Sequence, residues 1–249
     1  MSIELPLDGF TSNRSLEAVS TCLETIGTTR FNQSFIAFAM GPLGADQCMI
    51  FVYEEQSARC FLSYNTLPDT GARALAENYI LRGHETDPIR ARVASRRQAD
   101  GIDIFPLAAL WGEMSESYRK DYFETPGMVD KIAVLARGRG LLLGLNFYRY
   151  RESGPYDQGA ADQGATLWRI AAQLALLHYS SSQDHSLEDP LLTLSERERE
   201  TCQWILKGLS TEAIAFEMDL SPNTITTYRK RAYDKLSINS KAALFALCR

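Results

Sequence analysis

Hydroxyl-bearing and basic residues are concentrated in one segment near the C-terminus, SPNTITTYRKRAYDKL, residues 221–236. Ser221 and Pro222 are residue types preferred at the cap and at the first position of a helix. At 100° per residue the helix has an apolar face (Ile225, Ala232 and Leu236) and an opposite face rich in hydroxyl and basic groups (Thr226, Thr227, Lys230 and Arg231). Lys and Thr donate hydrogen bonds to base edges in the DNA major groove, and a Thr methyl packs on a thymine methyl. The segment therefore predicts a DNA-reading helix.

Further helix signals surround this segment. Ser195 and Glu198 have the spacing of a capping box, and Gly208 is the residue type that most often ends a helix. Ser210 or Thr211 caps a second helix, and Ser240 caps a fourth. Helices this short are stable only when they pack on one another. We therefore predict an all-α four-helix unit over residues 191–249 with a helix-turn-helix; the plainer alternative is a basic face that only meets solvent.

The side chains that we predict to contact DNA lie on or beside the third helix. Its first turn, with hydroxyls and free backbone N–H groups, suits phosphate, and the following turns suit base edges. The predicted contacts are Ser221, Thr224, Thr226, Thr227, Tyr228, Lys230, Arg231 and Lys235.

The C-terminal segment resembles a known family over about 55 residues without a gap, from LTLSERERETC to SINSKAALFA, residues 192–246. It is similar to the LuxR/GerE-type helix-turn-helix domain, in which the residues after the T-[VI] pair read bases. The resemblance places that role on Thr226, Thr227 and Lys230, and it implies a homodimer formed through the last helix, whose apolar residues we expect to be exposed. The family usually has Lys at the position of Thr226 and His at that of Tyr228, so its operator sequences do not carry over.

Composition and charge limit the other functions. The 249 residues are enough for two modest domains; the net charge is −5, divided as +2 from Leu191 onward and −7 before it. Three isolated histidines predict no metal site, and the cysteines lack a CxxC pair. There is no GxSxG motif, phosphate loop or spaced carboxylate pair, so we predict neither an enzyme nor a cofactor. The N-terminus lacks a signal-peptide pattern and no apolar run reaches membrane-span length, which predicts a cytoplasmic protein without a membrane partner.

The part before residue 181 predicts an α+β sandwich on a five-stranded antiparallel sheet. The predicted strands are SFIAFAMG (34–41), QCMIFVYE (47–54), ARCFLSYN (58–65), DKIAVLAR (130–137) and LLLGLNFYR (141–149), the last two joined at Gly138-Arg139-Gly140. Helical patterns lie at 15–29, with Ser15 as cap and Leu16, Val19, Leu23 and Ile26 at helical spacing, and at 71–82, 88–95, 115–124 and 161–179. Consecutive strands without crossover helices exclude the receiver domain of a response regulator.

Two stretches of this sandwich, ENYILRGHETDPIRARV (77–93) and TPGMVDKIAVLARGRGLLLGLNFYR (125–149), resemble the autoinducer-binding, GAF/PAS-like sensor domain of LuxR proteins. The resemblance implies that Asp87 accepts a hydrogen bond from a ligand; the alternative is an ordinary helix cap before Pro88. Aromatic candidates for the pocket wall are Tyr64, Tyr79, Phe105 and Trp111. Lactone receptors carry a Trp before this Asp, and none precedes Trp111 here, so the chain resembles the orphan members more closely.

The sequence thus predicts three parts: a sensing domain over residues 1–180, a linker over 181–190, and a DNA-binding domain over 191–249. The leading hypothesis is a transcription regulator whose affinity for double-stranded DNA changes when a small-molecule effector binds the first domain. The alternative makes the first domain a ligand-independent dimerisation or protein-interaction module. RNA polymerase is a further candidate partner.

Overall fold

The computed structural model describes residues 13–54, 58–66, 87–96, 99–157, 165–181 and 190–248. The helical pattern at 71–82 and the candidate Tyr79 lie outside these ranges, as does nearly all of the predicted linker. The described helices of the first part are α1 (Asn13–Thr25), α2 (Phe31–Met40), α3 (Ile89–Arg96), α4 (Leu107–Trp111), α5 (Glu116–Arg119, continued by a π-helical turn over Lys120–Glu124) and α6 (Ala165–Ser181). The strands are β1 (Gln47–Tyr53), β2 (Ala58–Asn65), β3 (Gly101–Pro106), β4 (Met128–Gly138) and β5 (Leu141–Tyr150).

The five strands form one antiparallel sheet in the order β2-β1-β5-β4-β3, which confirms the predicted fold class. The predicted hairpin is also confirmed: Gly138 pairs with Leu141, and the two residues between them, Arg139 and Gly140, have φ angles of 53° and 79°. Two successive positive φ angles define the turn that matches the twist of a two-residue hairpin.

Two strand assignments were wrong. One predicted strand is a helix and one strand was not predicted, so the total of five is unchanged. SFIAFAMG forms most of α2, with Phe31, Phe35, Ile36, Phe38 and Ala39 buried. A short apolar run fits either a buried strand or a buried helix, and here the three- and four-residue spacing decides. The fifth strand is instead GIDIFP, which lies within the stretch predicted as a helical insert and pairs with β4 as an edge strand.

The sheet divides the first part into two layers. One face is apolar and packs against α1, α2 and α6 through residues such as Ile50, Leu62, Ile132, Leu145 and Phe147. The other face packs against α3, α4 and α5 and includes buried polar residues. The predicted helix is confirmed as α1, but Ser15 lies inside it and is not its cap. Leu16 and Leu23 of this helix are 54% and 53% exposed. The helix buries its small residues Ser15, Cys22 and Thr25 instead.

The C-terminal part contains four α-helices after a 3₁₀ turn at Pro190–Thr193: α7 (Glu196–Leu206), α8 (Thr211–Glu217), α9 (Pro222–Leu236) and α10 (Lys241–Leu247). They pack around a core of their own, so the predicted helical unit is confirmed. The Ser195–Glu198 capping box is present, and Gly208 has a φ of 92° after α7. Ser210, Ser221 and Ser240 each accept a hydrogen bond from the backbone N–H three residues on.

Helix α10 packs against β2, one of the two edge strands of the sheet. Its residues Ala243, Leu244 and Phe245 are buried, so the expectation of an exposed apolar face on the last helix was wrong. Two polar contacts join the same two parts of the chain: the Asn239 side-chain amide donates to the Asn65 carbonyl, and Gln33 Nε2 donates to the Asp234 carbonyl at 3.4 Å. A dimer through this helix stays a prediction. No described helix is long and apolar enough to cross a membrane.

Candidate functional site

The exposed face of α9 is the first candidate site. Ile225, Ala232 and Leu236 are buried as predicted, and Tyr233 is buried beside them. The opposite face is exposed at Thr226, Thr227, Lys230, Arg231 and Asp234. Two neutral hydroxyls, two cations and one carboxylate therefore face solvent together, on a helix held from behind by α7 and α8.

The two threonine hydroxyls have a defined orientation. Thr226 Oγ1 donates to the Pro222 carbonyl and Thr227 Oγ1 donates to the Asn223 carbonyl, both at 3.0 Å. Because each hydroxyl proton is used within the helix, each oxygen presents lone pairs to an approaching base, and each methyl group stays available. In this rotamer the two residues suit the amino group of adenine or cytosine and the methyl group of thymine.

The start of α9 carries the predicted phosphate contacts. Ser221 Oγ accepts from the Thr224 N–H at 3.1 Å and lies 2.8 Å from Thr224 Oγ1. These hydroxyls cap the helix, while the positive end of a 15-residue helix dipole remains beside them. This arrangement can hold a phosphate oxygen at the first turn.

Lys235 lies about 180° around α9 from Thr226 but about 40° from Arg231, at the edge of the exposed face. Its Nζ donates to Glu198 Oε2 at 2.6 Å, and the same carboxylate oxygen accepts the Ser195 N–H at 2.9 Å. Burial alone raises the pKa of Glu198, but the hydrogen bonds from Lys235 and Ser195 outweigh it and lower the pKa. The pair thus ties α9 to the cap of α7. Tyr228 is half-buried at the edge of the exposed face.

Asp87 is the centre of the second candidate site. Its Oδ1 accepts the Ile89 N–H at 2.9 Å, so the helix-cap interpretation is confirmed. The residue is also only 4% exposed and faces the polar layer of the sheet. There Oδ2 lies 4.0 Å from Lys131 Nζ, and Tyr118 forms a hydrogen bond with the carboxylate. The Asp87 side chain therefore caps α3 and also makes polar contacts inside the sandwich.

The sequence analysis missed Lys131, which lies on β4 and is 0% exposed. Its Nζ is 5.2 Å from the centre of the Tyr148 ring. Among the described residues, no acceptor lies within hydrogen-bonding distance of this nitrogen. Burial lowers the pKa of the lysine, and the Asp87 charge partly opposes that shift. The sequence did contain a signal for the burial of Lys131. This residue alternates with Ala133 and Leu135 on one face of a strand that is apolar on both faces.

The buried Tyr118 and Tyr148 and the half-buried Tyr53 lie near this pair. Burial, followed by the negative charge of Asp87, raises the pKa of Tyr53, Tyr118 and Tyr148 well above the ordinary value. Their hydroxyls consequently remain protonated and can donate hydrogen bonds. Tyr53 fits because Gly144 has no side chain: a Cβ there would lie 2.6 Å from Tyr53 Cε2.

The predicted aromatic wall is divided between the two layers. Phe105 and Trp111 pack in the same layer as Asp87, where Trp111 meets Phe123 edge-on at 5.9 Å. Tyr64 pairs with Cys48 and packs in the opposite, apolar layer, so the sheet separates it from Asp87. The prediction for Tyr64 thus has no support from this arrangement.

Comparison with known proteins classifies the C-terminal part of the chain. Residues 192–248 match the sequence model of bacterial regulatory proteins, luxR family. The chain is 25% identical over 162 residues (55% of this chain, 80% of the other) to an HTH-type transcriptional regulator in the exeN 3′ region of Aeromonas salmonicida. It is 37% identical over 75 residues (30% of this chain, 33% of the other) to the response regulator UvrY of Escherichia coli (strain K12).

The structure of SdiA in complex with octanoyl-rac-glycerol is similar over 96% of this chain and 97% of that one, at 17% identity and a TM-score of 0.49. The function of the sheet unit is therefore argued from its own residues. The C-terminal match concerns residues 192–248 alone. Residues 192–248 thus form a helix-turn-helix unit of the luxR family, and the relatives named here are regulators rather than enzymes.

Proposed function

We propose that the protein binds double-stranded DNA through the exposed face of α9 and that a small molecule, bound between the sheet and the α3–α5 layer, changes its DNA affinity. The observation that carries the sensing half is the buried polar cluster of Asp87, Lys131 and Tyr118 in the layer between the sheet and helices α3–α5. Ligand sites commonly combine apolar walls with a few convergent polar groups.

For DNA, the proposed roles follow the geometry of α9. Thr226 and Thr227 present acceptor oxygens and methyl groups, and Lys230 and Arg231 supply the positive charge that attracts the duplex. The capped first turn, with Ser221, holds a phosphate and sets the register. The protein acts as a homodimer on a paired site, as two-fold DNA symmetry favours for this class of motif.

Coupling between the two sites has a direct structural route. Strand β2 carries α10 on its outer edge, and β1, its neighbour in the sheet, carries Tyr53 near Asp87. A ligand that binds one arrangement of this contact more tightly than another shifts the population between them. The ligand changes the affinity for DNA by the same factor by which DNA changes the affinity for the ligand.

The test uses the full chain and a duplex selected from random sequences. The affinity for this duplex is measured with and without the small-molecule fraction of a host-cell extract, and thermal unfolding is followed in parallel. At a hundred times its Kd, a ligand stabilises the folded state by about 2.7 kcal/mol. We expect both the stabilisation and the change in DNA affinity to be lost in Asp87→Asn.

Asn is a suitable replacement because it caps helices as well as Asp does, so the Ile89 N–H keeps an acceptor. A folded Asp87→Asn protein that still responds to the extract would place the ligand elsewhere. A native protein whose DNA affinity no extract changes would refute ligand sensing and leave DNA binding intact.

One observation favours the alternative role of the first part as an interaction module. Leu16 and Leu23 lie two turns apart on α1, and both are more than half exposed. They give α1 an apolar stripe on the surface. If this stripe mediates dimerisation without a ligand, Leu16→Glu/Leu23→Glu lowers the molecular mass seen by light scattering, whatever extract is added.

A further inference from the structure

The two faces of the sheet differ in their polar content. The face toward α1, α2 and α6 has an apolar core. The face toward α3–α5 carries Gln47, Ser63, Lys131 and Asn146, all buried, in addition to Asp87 from the covering layer. Buried polar groups are costly unless they are hydrogen-bonded, so their concentration on one face calls for a chemical explanation.

Lys131 is the clearest case, because its ammonium has three N–H donors and no acceptor in reach among the described residues. The nearest carboxylate oxygen, Asp87 Oδ2, is 4.0 Å away, beyond a normal hydrogen bond. Asp87 already accepts the Ile89 N–H, and Tyr118 shares a hydrogen bond with it. The carboxylate is thus satisfied by other groups, whereas the ammonium lacks an acceptor.

We propose that Lys131 binds the carboxylate of the effector, which is an organic acid with an apolar body and a hydrogen-bond donor next to the acid group. This inference rests on the proposed function and specifies its ligand. A carboxylate supplies the acceptor that Lys131 lacks, through the stronger, charge-assisted type of hydrogen bond. The adjacent donor, an amide N–H for example, reaches Asp87, which lies across from Lys131.

The surroundings fix the rest of the ligand class. Leu110 and Phe123 are buried in the layer that holds Asp87, and the half-buried Phe105 and Trp111 pack against them. Such a wall suits an alkyl or aryl group. Because Asp87 already lies beside Lys131, a monoanion leaves one excess negative charge in this dry site and a doubly charged phosphate leaves two, so the monoanion is favoured. N-acyl amino acids are the simplest compounds that combine these three parts.

The experiment measures the affinity of the full chain by calorimetry for N-acylglycines from acetyl to dodecanoyl and for the matching methyl esters. The ester keeps the tail and the amide but removes the charge. We compare native protein with Lys131→Met, which keeps the length of the stem, and with Lys131→Gln in case the first variant does not fold. Lys120→Met is the matched control, since Lys120 is an exposed lysine of the same layer.

We expect at least one acid to bind native protein and Lys120→Met about tenfold or more tightly than its ester. The Lys131 variants should lose this preference while their affinity for the ester is unchanged. The proposal is overturned if no acid of the series binds, if acid and ester bind alike, or if a Lys131 variant keeps the preference. Ester binding that Asp87→Asn abolishes would sustain the proposed sensing function while removing this role of Lys131.

Discussion

The contact between Lys235 and Glu198 allows the positioning of α9, the helix that we propose reads DNA, to be tested apart from DNA contact itself. The Nζ–Oε2 distance is 2.6 Å, with the Glu198 side chain 5% exposed and that of Lys235 47% exposed. A hydrogen bond between charged groups contributes about 1.5–3 kcal/mol when shielded, and exposed pairs contribute about 0–1 kcal/mol. Because one partner is half in solvent, we expect a coupling free energy of about 1–2 kcal/mol.

The perturbation is a double-mutant cycle of Glu198→Gln and Lys235→Met. Gln keeps an acceptor for the Ser195 N–H, so the capping box survives in both arms. Stability is measured by urea unfolding with pulsed hydrogen exchange over α7 and α9, which reports the helical unit separately from the sheet. A coupling free energy within about 0.3 kcal/mol of zero, the usual range for independent sites, would refute the inferred pair.

The same variants decide whether Lys235 also meets DNA, as the sequence prediction holds. If Glu198 retains the ammonium, Lys235→Met weakens DNA binding only through stability, and the dependence of affinity on salt keeps its slope. A lysine that neutralises a phosphate contributes about 0.9 to that log–log slope. A slope that falls by this amount in Lys235→Met would show that the lysine leaves Glu198 for the backbone of the duplex.

Two further predictions concern the sandwich. Burial lowers the pKa of His178 from 6.5 to about 4. Between these pH values the unfolded chain therefore binds more protons than the folded chain. The free energy of unfolding consequently falls as the pH drops from 6.5 to 4, by up to about 3 kcal/mol. His178→Gln, which keeps an acceptor for the Gly27 N–H, should remove most of this slope in urea titrations at pH 7.5 and 5; an unchanged slope would assign it to other groups. Gly144→Ala places a Cβ 2.6 Å from the Tyr53 ring and should cost about 1–3 kcal/mol in the same assay. Gly112→Ala, with no atom within 4 Å of its added Cβ, is the control, and an equal cost at both sites would contradict the packing argument.

The helical unit was predictable because its signals are local. Ser195 with Glu198, Gly208, and Ser221 with Pro222 each act within one turn of helix, and all appear in the structure as predicted. The sheet depended on longer-range choices. The run at 34–41 satisfies either period, and GIDIFP becomes a strand because β4 offers it an edge, which no local pattern shows.

The candidate sites follow the same division. The exposed face of α9 could be calculated from helix geometry alone, since Thr226, Thr227, Lys230 and Arg231 need no distant partner to face solvent. The ion pair between Glu198 and Lys235 joins residues 37 positions apart, and the sequence did not predict it. Lys131 was missed because a lone lysine in a strand ordinarily faces water, and only the α3–α5 layer, which covers that face, buries it.

The measurement that tests the central claim most directly is the affinity of the full chain for a selected duplex after Lys230→Ala. Lys120→Ala is the control, because it removes the same charge from an exposed site outside the helical unit. A residue at base edges contributes about 1–3 kcal/mol of discrimination, so we predict a loss of about tenfold to a hundredfold for the selected sequence, a smaller loss for unrelated DNA, and no change in the control. If Lys230→Ala binds the selected duplex as tightly as native protein does, the exposed face of α9 is not the surface that reads DNA.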